Sequence, residues 1–300
     1  MTNGLIKILE MIRFSHTLFA LPFALLAAVM AWSVSTGESS FGWRQLTGIL
    51  ICMVCARSVA MAFNRLADRK LDAHNPRTKN RHLVTGDLSV SGVVVFTLLG
   101  TAGFVIGTLM FLPNWLPVLL SAPVLAFLCG YSYAKRFTAL AHFWLGTALM
   151  LAPVCAWIAI RGELVLANPL DIMPALILGL AVLPWVAGFD IIYACQDVDS
   201  DRQAQLHSVP AKFGVVTSLR IAAACHAVMI GVLMILPWAC PEIGLGWIYL
   251  VGIASVALLL IYEHSIVSAD DLTRVNVAFF QLNVIVSLGL LAIGTLDVLV

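Results

Sequence analysis

Nine long apolar segments, separated by short polar or turn-forming stretches, constrain the fold of this chain more than any other feature. They lie at about 16–35, 44–66, 90–111, 114–132, 139–160, 171–194, 215–237, 243–264 and 276–298. A helix needs about 20 apolar residues to cross the hydrocarbon core of a bilayer. Only 11% of the 300 residues are charged, less than half of the roughly 25% that is usual for soluble domains. We therefore predict one all-α, polytopic membrane domain over residues 1–300, with nine transmembrane helices.

The distribution of basic residues predicts which helix ends face the cytoplasm, because lysine and arginine are enriched in cytoplasmic loops. Arg44 and Arg161 follow odd-numbered segments, and Arg57 lies inside the second segment. The remaining basic residues, out of 17 in total, lie near the N-terminus or after even-numbered segments. The N-terminus and these loops are predicted to be cytoplasmic, the C-terminus outside, and the membrane the cell inner (plasma) membrane.

Charge and cysteine content argue against several other classes of protein. The formal net charge of +1 gives no general attraction for nucleic acids. Cys52 and Cys55 form a CxxC pair, but they lie inside an apolar segment without a second pair, so we interpret them as buried thiols. The first apolar segment is long and lacks an A-x-A cleavage site, which is typical of a retained anchor.

Two acidic pairs follow two of the even-numbered segments. Asp68 and Asp72 follow the second segment, and Asp197 and Asp201 follow the sixth with the same i, i+4 spacing. Residues at this spacing share one face of a helix. Asp190 lies two turns before Asp197, toward the interior of the membrane, and is expected on the same helical face. We therefore expect both pairs to project from helical faces at the cytoplasmic side.

Such pairs are costly unless a cation is bound, because like charges at this spacing repel and a membrane boundary adds a desolvation cost. Mg²⁺ prefers oxygen ligands and commonly combines one or two carboxylates with substrate phosphates. We predict a diphosphate held by Mg²⁺ between the pairs. The alternative is that both pairs are solvated helix ends with local salt bridges. Some of the basic residues near the first pair are expected to contact phosphate, and the others reflect the general enrichment of basic residues in cytoplasmic loops. They are Arg65, Arg69, Lys70, Arg77, Lys79 and Arg81.

Two arginines near the core of the bundle are candidates to bind an anionic group of a substrate. They are Arg13, at the start of the first segment, and Arg57, inside the second. A charge inside a membrane segment is costly unless it is paired. For Arg57, a structural ion pair with Asp190 or another internal carboxylate is the equally weighted alternative.

Four other polar residues receive structural interpretations. His142 and His207 have no metal-ligating partner at helical spacing, so we interpret them as hydrogen-bonded helix-end or loop histidines. Asn276 and Asn283 lie in the last segment, where hydrogen bonding between helices is the default role of asparagine.

The residues around both acidic pairs resemble the two aspartate-rich motifs of the UbiA superfamily of intramembrane aromatic prenyltransferases. NRLADRKLDAHNPRT, residues 64–78, resembles the form NRxxDxxxDxxNxRT. YACQDVDSDRQAQLHSVPAKFG, residues 193–214, resembles YxxxDxxxDxxxxxxSxPxxFG. Segments 13–25, 131–146 and 274–287 are also similar. The resemblance covers nearly the whole chain and implies nine transmembrane helices around a central cavity.

The resemblance also implies roles for individual residues. The Mg²⁺ ligands would be Asn64, Asp68, Asp72, Asp197 and Asp201. The catalytic carboxylates would be Asp68, Asp72, Asp197, Asp201 and Asp190. The cations on the diphosphate would be Arg77, Lys135, Arg136 and Arg65. Asp190 or Asp197 would aid removal of a proton from the aromatic ring, and Arg13 and Arg57 would be the candidates to bind the carboxylate of the aromatic acid.

The branch of the family that the chain resembles makes respiratory quinones. The resemblance implies Mg²⁺-dependent transfer of a polyprenyl chain from its diphosphate to an aromatic acid of the 4-hydroxybenzoate type, as in ubiquinone synthesis. The alternative acceptor is 1,4-dihydroxy-6-naphthoate, for menaquinone, because SHTLFALPFAL and LHSVPAKFG resemble that branch at least as closely. The expected partners are these two substrates and the lipid bilayer, without nucleic acid.

Two other classes of membrane protein compete with this interpretation. A transporter with acidic cation sites would place its charges near the membrane midplane, whereas these acidic pairs lie at one face. A CDP-alcohol phosphotransferase is also rich in aspartate, but its Asp-Gly-x-x-Ala-Arg sequence after the first pair is missing here.

Overall fold

The computed structural model describes residues 2–12, 17, 19–34 and 41–300. This part of the chain is helical and contains no strand. The α-helices, in chain order, are α1 Thr2–Met11, α2 Leu21–Ser33, α3 Trp43–His74, α4 His82–Thr85, α5 Val90–Thr108, α6 Leu116–Ala134, α7 Ala141–Ala167, α8 Met173–Ala194, α9 Val198–Gln203, α10 Val209–Phe213, α11 Val215–Ala239, α12 Trp247–Ser265 and α13 Asn283–Leu299. A π-helical segment, Val277–Leu282, leads into α13. Short 3-10 turns are Leu109–Phe111, Pro169–Ile172, Cys195–Asp197 and Pro241–Ile243.

Eight helical segments of the described residues are long and apolar enough to cross a membrane. They begin at Trp43, Val90, Leu116, Ala141, Pro169, Val215, Trp247 and Val277. The first predicted span, 16–35, contains α2, which has 13 residues and is shorter than a full crossing. The all-α polytopic class is thus confirmed, and α2 accounts for the difference between nine predicted spans and eight long ones.

The centre of the bundle is formed by α2 and α8. In the span that contains α8, 78% of the most apolar window is buried, against 17–44% in the other long spans. α8 packs mainly against α7 and α11, and α2 packs against α7 and α13. A Cβ added at Gly146 in α7 would collide with the carbonyl oxygen of Leu183. This glycine therefore permits the close approach of α7 to α8, as small residues do in membrane helix packing.

A buried polar cluster joins α8, α11, α12 and α13. The Trp185 indole donates to Asn283 Oδ1 at 2.7 Å, and Asn283 Nδ2 lies 3.4 Å from Glu263 Oε1. His226 Nδ1 and His264 Nε2 are 3.0 Å apart. The interpretation of Asn283 as a residue that hydrogen-bonds between helices is confirmed.

Arg161 was predicted to lie in the loop after the fifth span, but it lies inside α7, which continues to Ala167. The backbone of Arg161 is non-helical at this point, with φ −117° and ψ 19°. Its guanidinium is buried and forms a bidentate ion pair with Asp171, at 2.9 Å from Nε and 2.5 Å from Nη2. This pair ties the end of α7 to the start of the sixth span.

The two segments that carry the acidic pairs end differently. α3 has 32 residues and is therefore about 48 Å long, longer than the roughly 30 Å hydrocarbon core. Its last turns carry Asp68 and Asp72. α8 ends at Ala194 and is followed by a 3-10 turn, Cys195–Asp197, before α9 begins. Their spacing predicted that Asp190, Asp197 and Asp201 lie on one continuous α-helix; they do not, although all three line the same cavity.

Candidate active site

A cavity of about 820 Å³ extends between α2, α3, α5, α6, α7 and α8. One part of its wall is apolar and includes Phe104, Phe111, Leu120, Val124 and Leu149. The other part is polar and includes the carboxylates of Asp68, Asp72, Asp190, Asp197 and Asp201. The structure thus brings all five predicted catalytic aspartates to one cavity.

Asp68 is 2% exposed and is surrounded by donors. Its carboxylate accepts from Asn64 Nδ2 at 3.0 Å and from Arg136 Nη2 at 3.1 Å. Lys135 Nζ lies 3.4 Å from Oδ2. Lys135 and Arg136 follow α6 directly, so the end of this helix supplies the countercharge for the first acidic pair.

Asp72, one turn further along α3, is 6% exposed and pairs with one arginine. Arg81 Nη1 donates to both oxygens of Asp72, at 2.7 and 2.6 Å. The hydroxyl of Thr78 donates to the backbone carbonyl of Asp72 at 3.1 Å. The loop after α3 therefore folds back onto the end of its own helix.

Asp197 is held by residues that follow the first acidic pair. Arg77 donates to Asp197 through Nε at 2.8 Å and Nη2 at 2.5 Å, and through Nη1 to the Tyr193 hydroxyl at 2.7 Å. Asn75 Nδ2 also donates to Asp197, at 3.1 Å. Burial alone would lower the pKa of Arg77, but the hydrogen bonds and charge of Asp197 outweigh it, so this pKa is raised. Arg77 thus joins the two acidic motifs directly.

Asp201 differs from the other three motif aspartates. It is 8% exposed and lines the cavity. Within the part of the chain that the structure describes, it forms no ion pair, whereas Asp68, Asp72 and Asp197 each do. Its carboxylate therefore requires no release of a cationic partner before it binds a cation.

The donor set of the polar end fits magnesium bound together with a diphosphate. Among the described residues, no three His, Cys, Asp or Glu side chains form a group that could hold a metal by themselves. Mg²⁺ usually takes only one or two carboxylates and completes its shell with water and phosphate oxygens. Carboxylates and asparagine amides, all hard oxygen donors, line this end of the cavity next to arginine and lysine.

The other predicted basic residues occupy different positions. Arg65 is buried, lines the cavity, and donates to Asn64 Oδ1 at 3.0 Å and to the Met11 carbonyl at 3.3 Å. Lys135 also lines the cavity, but Arg136 is not among the lining residues and donates to the Ala67 carbonyl. Arg57 lines the cavity two turns before Asn64 along α3. The predicted role of Arg13 lies outside the described residues.

Asp190 pairs with a histidine. His142 Nδ1 lies 2.7 Å from Asp190 Oδ2, and the backbone N–H of Val209 donates to His142 Nε2 at 3.3 Å. His142 is therefore a hydrogen-bonded histidine at a helix start, as predicted. Its partner is a carboxylate of the cavity.

The sequence predicted none of four side-chain contacts around the aspartates: Asn75, Arg81 and His142 contact an aspartate, and Tyr193 accepts a hydrogen bond from Arg77. Helical spacing gave no signal for the contacts of Arg81 and His142, because Arg81 lies beyond the end of α3, which carries its partner Asp72, and His142 lies on a different helix from Asp190. Asn75 and Tyr193 occupy lettered positions of the two motif patterns, and that signal could have identified them.

Comparisons with known proteins agree with this geometry. The model of the UbiA prenyltransferase family matches residues 20–285. The 4-hydroxybenzoate octaprenyltransferase of Methylobacillus flagellatus is 31% identical over 231 residues, which cover 77% of this chain and 73% of that protein.

Two solved structures share the fold. The apo structure of a UbiA homolog from Aeropyrum pernix K1 has a TM-score of 0.82 and 30% identity, covering 95% of this chain and 98% of that one. A UbiA homolog from Archaeoglobus fulgidus bound to GPP and Mg²⁺ has a TM-score of 0.66 and 19% identity, covering 98% and 100%. With two aspartate motifs at one cavity and a family match over nearly its whole length, this chain belongs to the UbiA prenyltransferase family.

Proposed function

We propose that this protein catalyses Mg²⁺-dependent transfer of a polyprenyl chain from its diphosphate to an aromatic acid of the 4-hydroxybenzoate type, in the synthesis of a respiratory quinone. The observation that carries the proposal is the two-part cavity. Its polar end combines four motif aspartates with arginines and lysine, and its other end is apolar. A substrate with a charged diphosphate and a hydrocarbon tail matches both parts. The M. flagellatus relative is named a 4-hydroxybenzoate octaprenyltransferase, which supports the acceptor class.

The polar end would hold the diphosphate. The residues that would hold Mg²⁺ are Asn64, Asp68, Asp72, Asp197 and Asp201. Bound Mg²⁺ would draw charge from the diphosphate and favour its departure as a leaving group. Arg77, with its permanently charged planar fork, would exchange its partner Asp197 for phosphate oxygens. Lys135 and Arg65 line the same end and would add positive charge; Arg136, just outside the lining, would act through Asp68.

The apolar end would receive the prenyl chain. Aromatic and branched side chains from α5, α6 and α7 line it, among them Phe104, Val124 and Leu149. A wall of this kind keeps water from an allylic cation, which water would convert to an alcohol. It also offers a hydrocarbon tail an environment similar to the lipid that it leaves.

The acceptor would lie between the two ends. Arg57 lines the cavity at an intermediate level of α3 and would bind the carboxylate of the aromatic acid, with Arg13 as a second candidate. The ring carbon ortho to the hydroxyl would attack the allylic carbon. Asp190 or Asp197 would then assist the loss of the ring proton. The polar end would face the cytoplasm of the inner membrane, because the basic residues cluster there.

The test is a transfer assay on membranes that contain the protein. Geranyl or a longer polyprenyl diphosphate is supplied with Mg²⁺ and either 4-hydroxybenzoate or 1,4-dihydroxy-6-naphthoate, and the products are identified by mass spectrometry. Prenylated 4-hydroxybenzoate is the expected product. Prenylated naphthoate alone would move the protein to the menaquinone branch. Movement of a substrate across the membrane without release of diphosphate would contradict the proposal and favour a transporter.

A further inference from the structure

We propose that His142 is a positioning residue that holds Asp190 as the base for the ring proton; this inference rests on the proposed function. His142 lies in the first turn of α7 and is 5% exposed, and Asp190 lies in α8. The 2.7 Å contact between Nδ1 and Oδ2 has the length of a strong hydrogen bond to a carboxylate. Both side chains line the cavity. The pair is therefore placed where a substrate can reach the carboxylate.

The backbone fixes which nitrogen of His142 carries the proton. Val209 has a backbone N–H that can only donate, and it points at Nε2 from 3.3 Å. Nε2 must then be the acceptor, so Nδ1 of the neutral ring carries the hydrogen and donates it to Asp190. Since both nitrogens are engaged, the ring cannot turn over without losing two hydrogen bonds. His142 thus holds Asp190 Oδ2 in one orientation.

The second oxygen of Asp190 is available to the cavity. Oδ1 receives no hydrogen bond from the described residues, and the side chain of Asp190 is 17% exposed. Asp197, the other candidate base, has both oxygens held by Arg77 and a further bond from Asn75, and in the proposed function it would hold Mg²⁺ once Arg77 moves to the diphosphate. Asp190 also lies seven residues earlier, about two helical turns toward the apolar end. This is the level of the reacting ring rather than of the diphosphate.

The chemistry of the step can be written with atoms and electrons balanced. The allylic C–O bond breaks and its electron pair leaves with the diphosphate. A π pair of the ring forms the new C–C bond at the ortho carbon. The C–H pair at that carbon then returns to the ring, and the proton passes to Oδ1 of Asp190. His142 keeps its own proton throughout and only orients the carboxylate.

The experiment separates ionisation from proton removal in the purified, full-length protein. Diphosphate and prenylated acceptor are measured in the same reaction for His142→Ala, Asp190→Asn and the wild type, with Mg²⁺ and with ordinary or ring-deuterated 4-hydroxybenzoate. His207→Asn is the matched control, because His207 is exposed and its side chain does not line the cavity.

We expect loss of the base to lower the yield of prenylated acceptor by roughly 10²-fold or more, the usual contribution of general base catalysis. Diphosphate release should fall much less, so that prenyl alcohol accumulates. The isotope effect of ring deuteration should be larger in His142→Ala than in the wild type, since proton removal becomes slower. His142→Asn, which keeps an N–H donor near the position of Nδ1, should recover part of the coupling.

Three results would overturn the inference. They are an unchanged ratio of product to diphosphate in His142→Ala, a parallel loss of both products with an unchanged isotope effect, and wild-type coupling in Asp190→Asn. If His142→Ala does not fold, the ratio of prenylated acceptor to diphosphate in His142→Asn and Asp190→Asn tests the inference instead. A wild-type protein that transfers no prenyl group to any acceptor would instead overturn the proposed function itself.

Discussion

The two aspartate motifs have the same spacing but are built differently. Asp68 and Asp72 lie on one unbroken helix of 32 residues, whereas Asp197 ends a 3-10 turn and Asp201 lies in the short helix after it. The first motif and the loop after it also provide the cation for the second, since Arg77 pairs with Asp197. The spacing of the aspartates therefore predicts which carboxylates reach the cavity. The local backbone and the paired cations make the two motifs different from each other.

The largest effect should follow removal of one carboxylate from each motif. We expect Asp68→Ala and Asp197→Ala each to lower the rate of transfer by about 10³-fold or more, the upper range for loss of one group that stabilises developing charge. Diphosphate release by the purified variants is the measurement, with size-exclusion profiles in detergent to show that they fold.

Asp199→Asn is the matched control for this pair of variants. Asp199 lies between Asp197 and Asp201 but is exposed and does not line the cavity, so its activity should equal that of the wild type. Substantial activity in both alanine variants would contradict the assignment of the motifs to the metal.

Arg77→Ala should lower kcat/KM for the polyprenyl diphosphate by about 10²-fold, because the side chain that connects the two motifs is removed. Arg77→Lys should recover only part of the rate, since an ammonium group lacks the planar fork that contacts Asp197 through two nitrogens. The value of kcat/KM for the polyprenyl diphosphate measures this. Full activity of Arg77→Lys would show that the link between the motifs requires only a positive charge.

The ion pair between Arg81 and Asp72 is a further difference between the two motifs. Arg81→Gln removes the partner of Asp72 and should raise the Mg²⁺ concentration for half-maximal activity about tenfold, as loss of an outer-shell partner does. Arg202→Gln, close to Asp201, should leave it unchanged, because Arg202 donates to the Ala211 carbonyl and forms no ion pair among the described residues. Equal changes in the required Mg²⁺ concentration in the two variants would show that the paired arginine does not distinguish Asp72 from Asp201.

The smallest effect belongs to the two cations on Asp68. Arg136 is partly exposed and does not line the cavity, so Arg136→Ala should change kcat/KM by about fivefold at most, in line with the roughly 1 kcal/mol of such ion pairs. Lys135→Ala should cost more, since Lys135 lines the cavity. A larger loss of kcat/KM in Arg136→Ala than in Lys135→Ala would indicate that Arg136 contacts the substrate.

The fold class and the motif aspartates could be predicted from sequence because both depend on local pattern. Long apolar runs identify membrane helices, and the i, i+4 spacing of Asp68 and Asp72 identifies a shared helical face. The turn at Cys195–Asp197 gave no such signal, since the same spacing fits a continuous helix. The short α2 was likewise counted as a full span, because its composition is that of a membrane helix.

Contacts between distant segments were beyond prediction for a different reason. His142 meets Asp190 and Val209, which follow it by 48 and 67 residues, and only the packing of α7 on α8 brings them together. Arg57 and Asp190 were treated as a candidate pair because both are charges inside apolar segments, but Asp190 is bound by His142. Periodicity places a residue on a face, whereas the choice of partner depends on tertiary structure.

The ion pair between Arg77 and Asp197 has a consequence for how metal and diphosphate would bind together in the proposed function. A diphosphate that binds Arg77 alone leaves Asp197 without its countercharge, and a divalent cation that binds Asp197 alone leaves Arg77 without its own. When both arrive, each takes over one member of the pair and no charge is left uncompensated. Metal and diphosphate should therefore bind cooperatively, with each raising the affinity for the other by the same factor. By this means the protein without substrate would discriminate against free cations and against metal-free phosphate compounds alike.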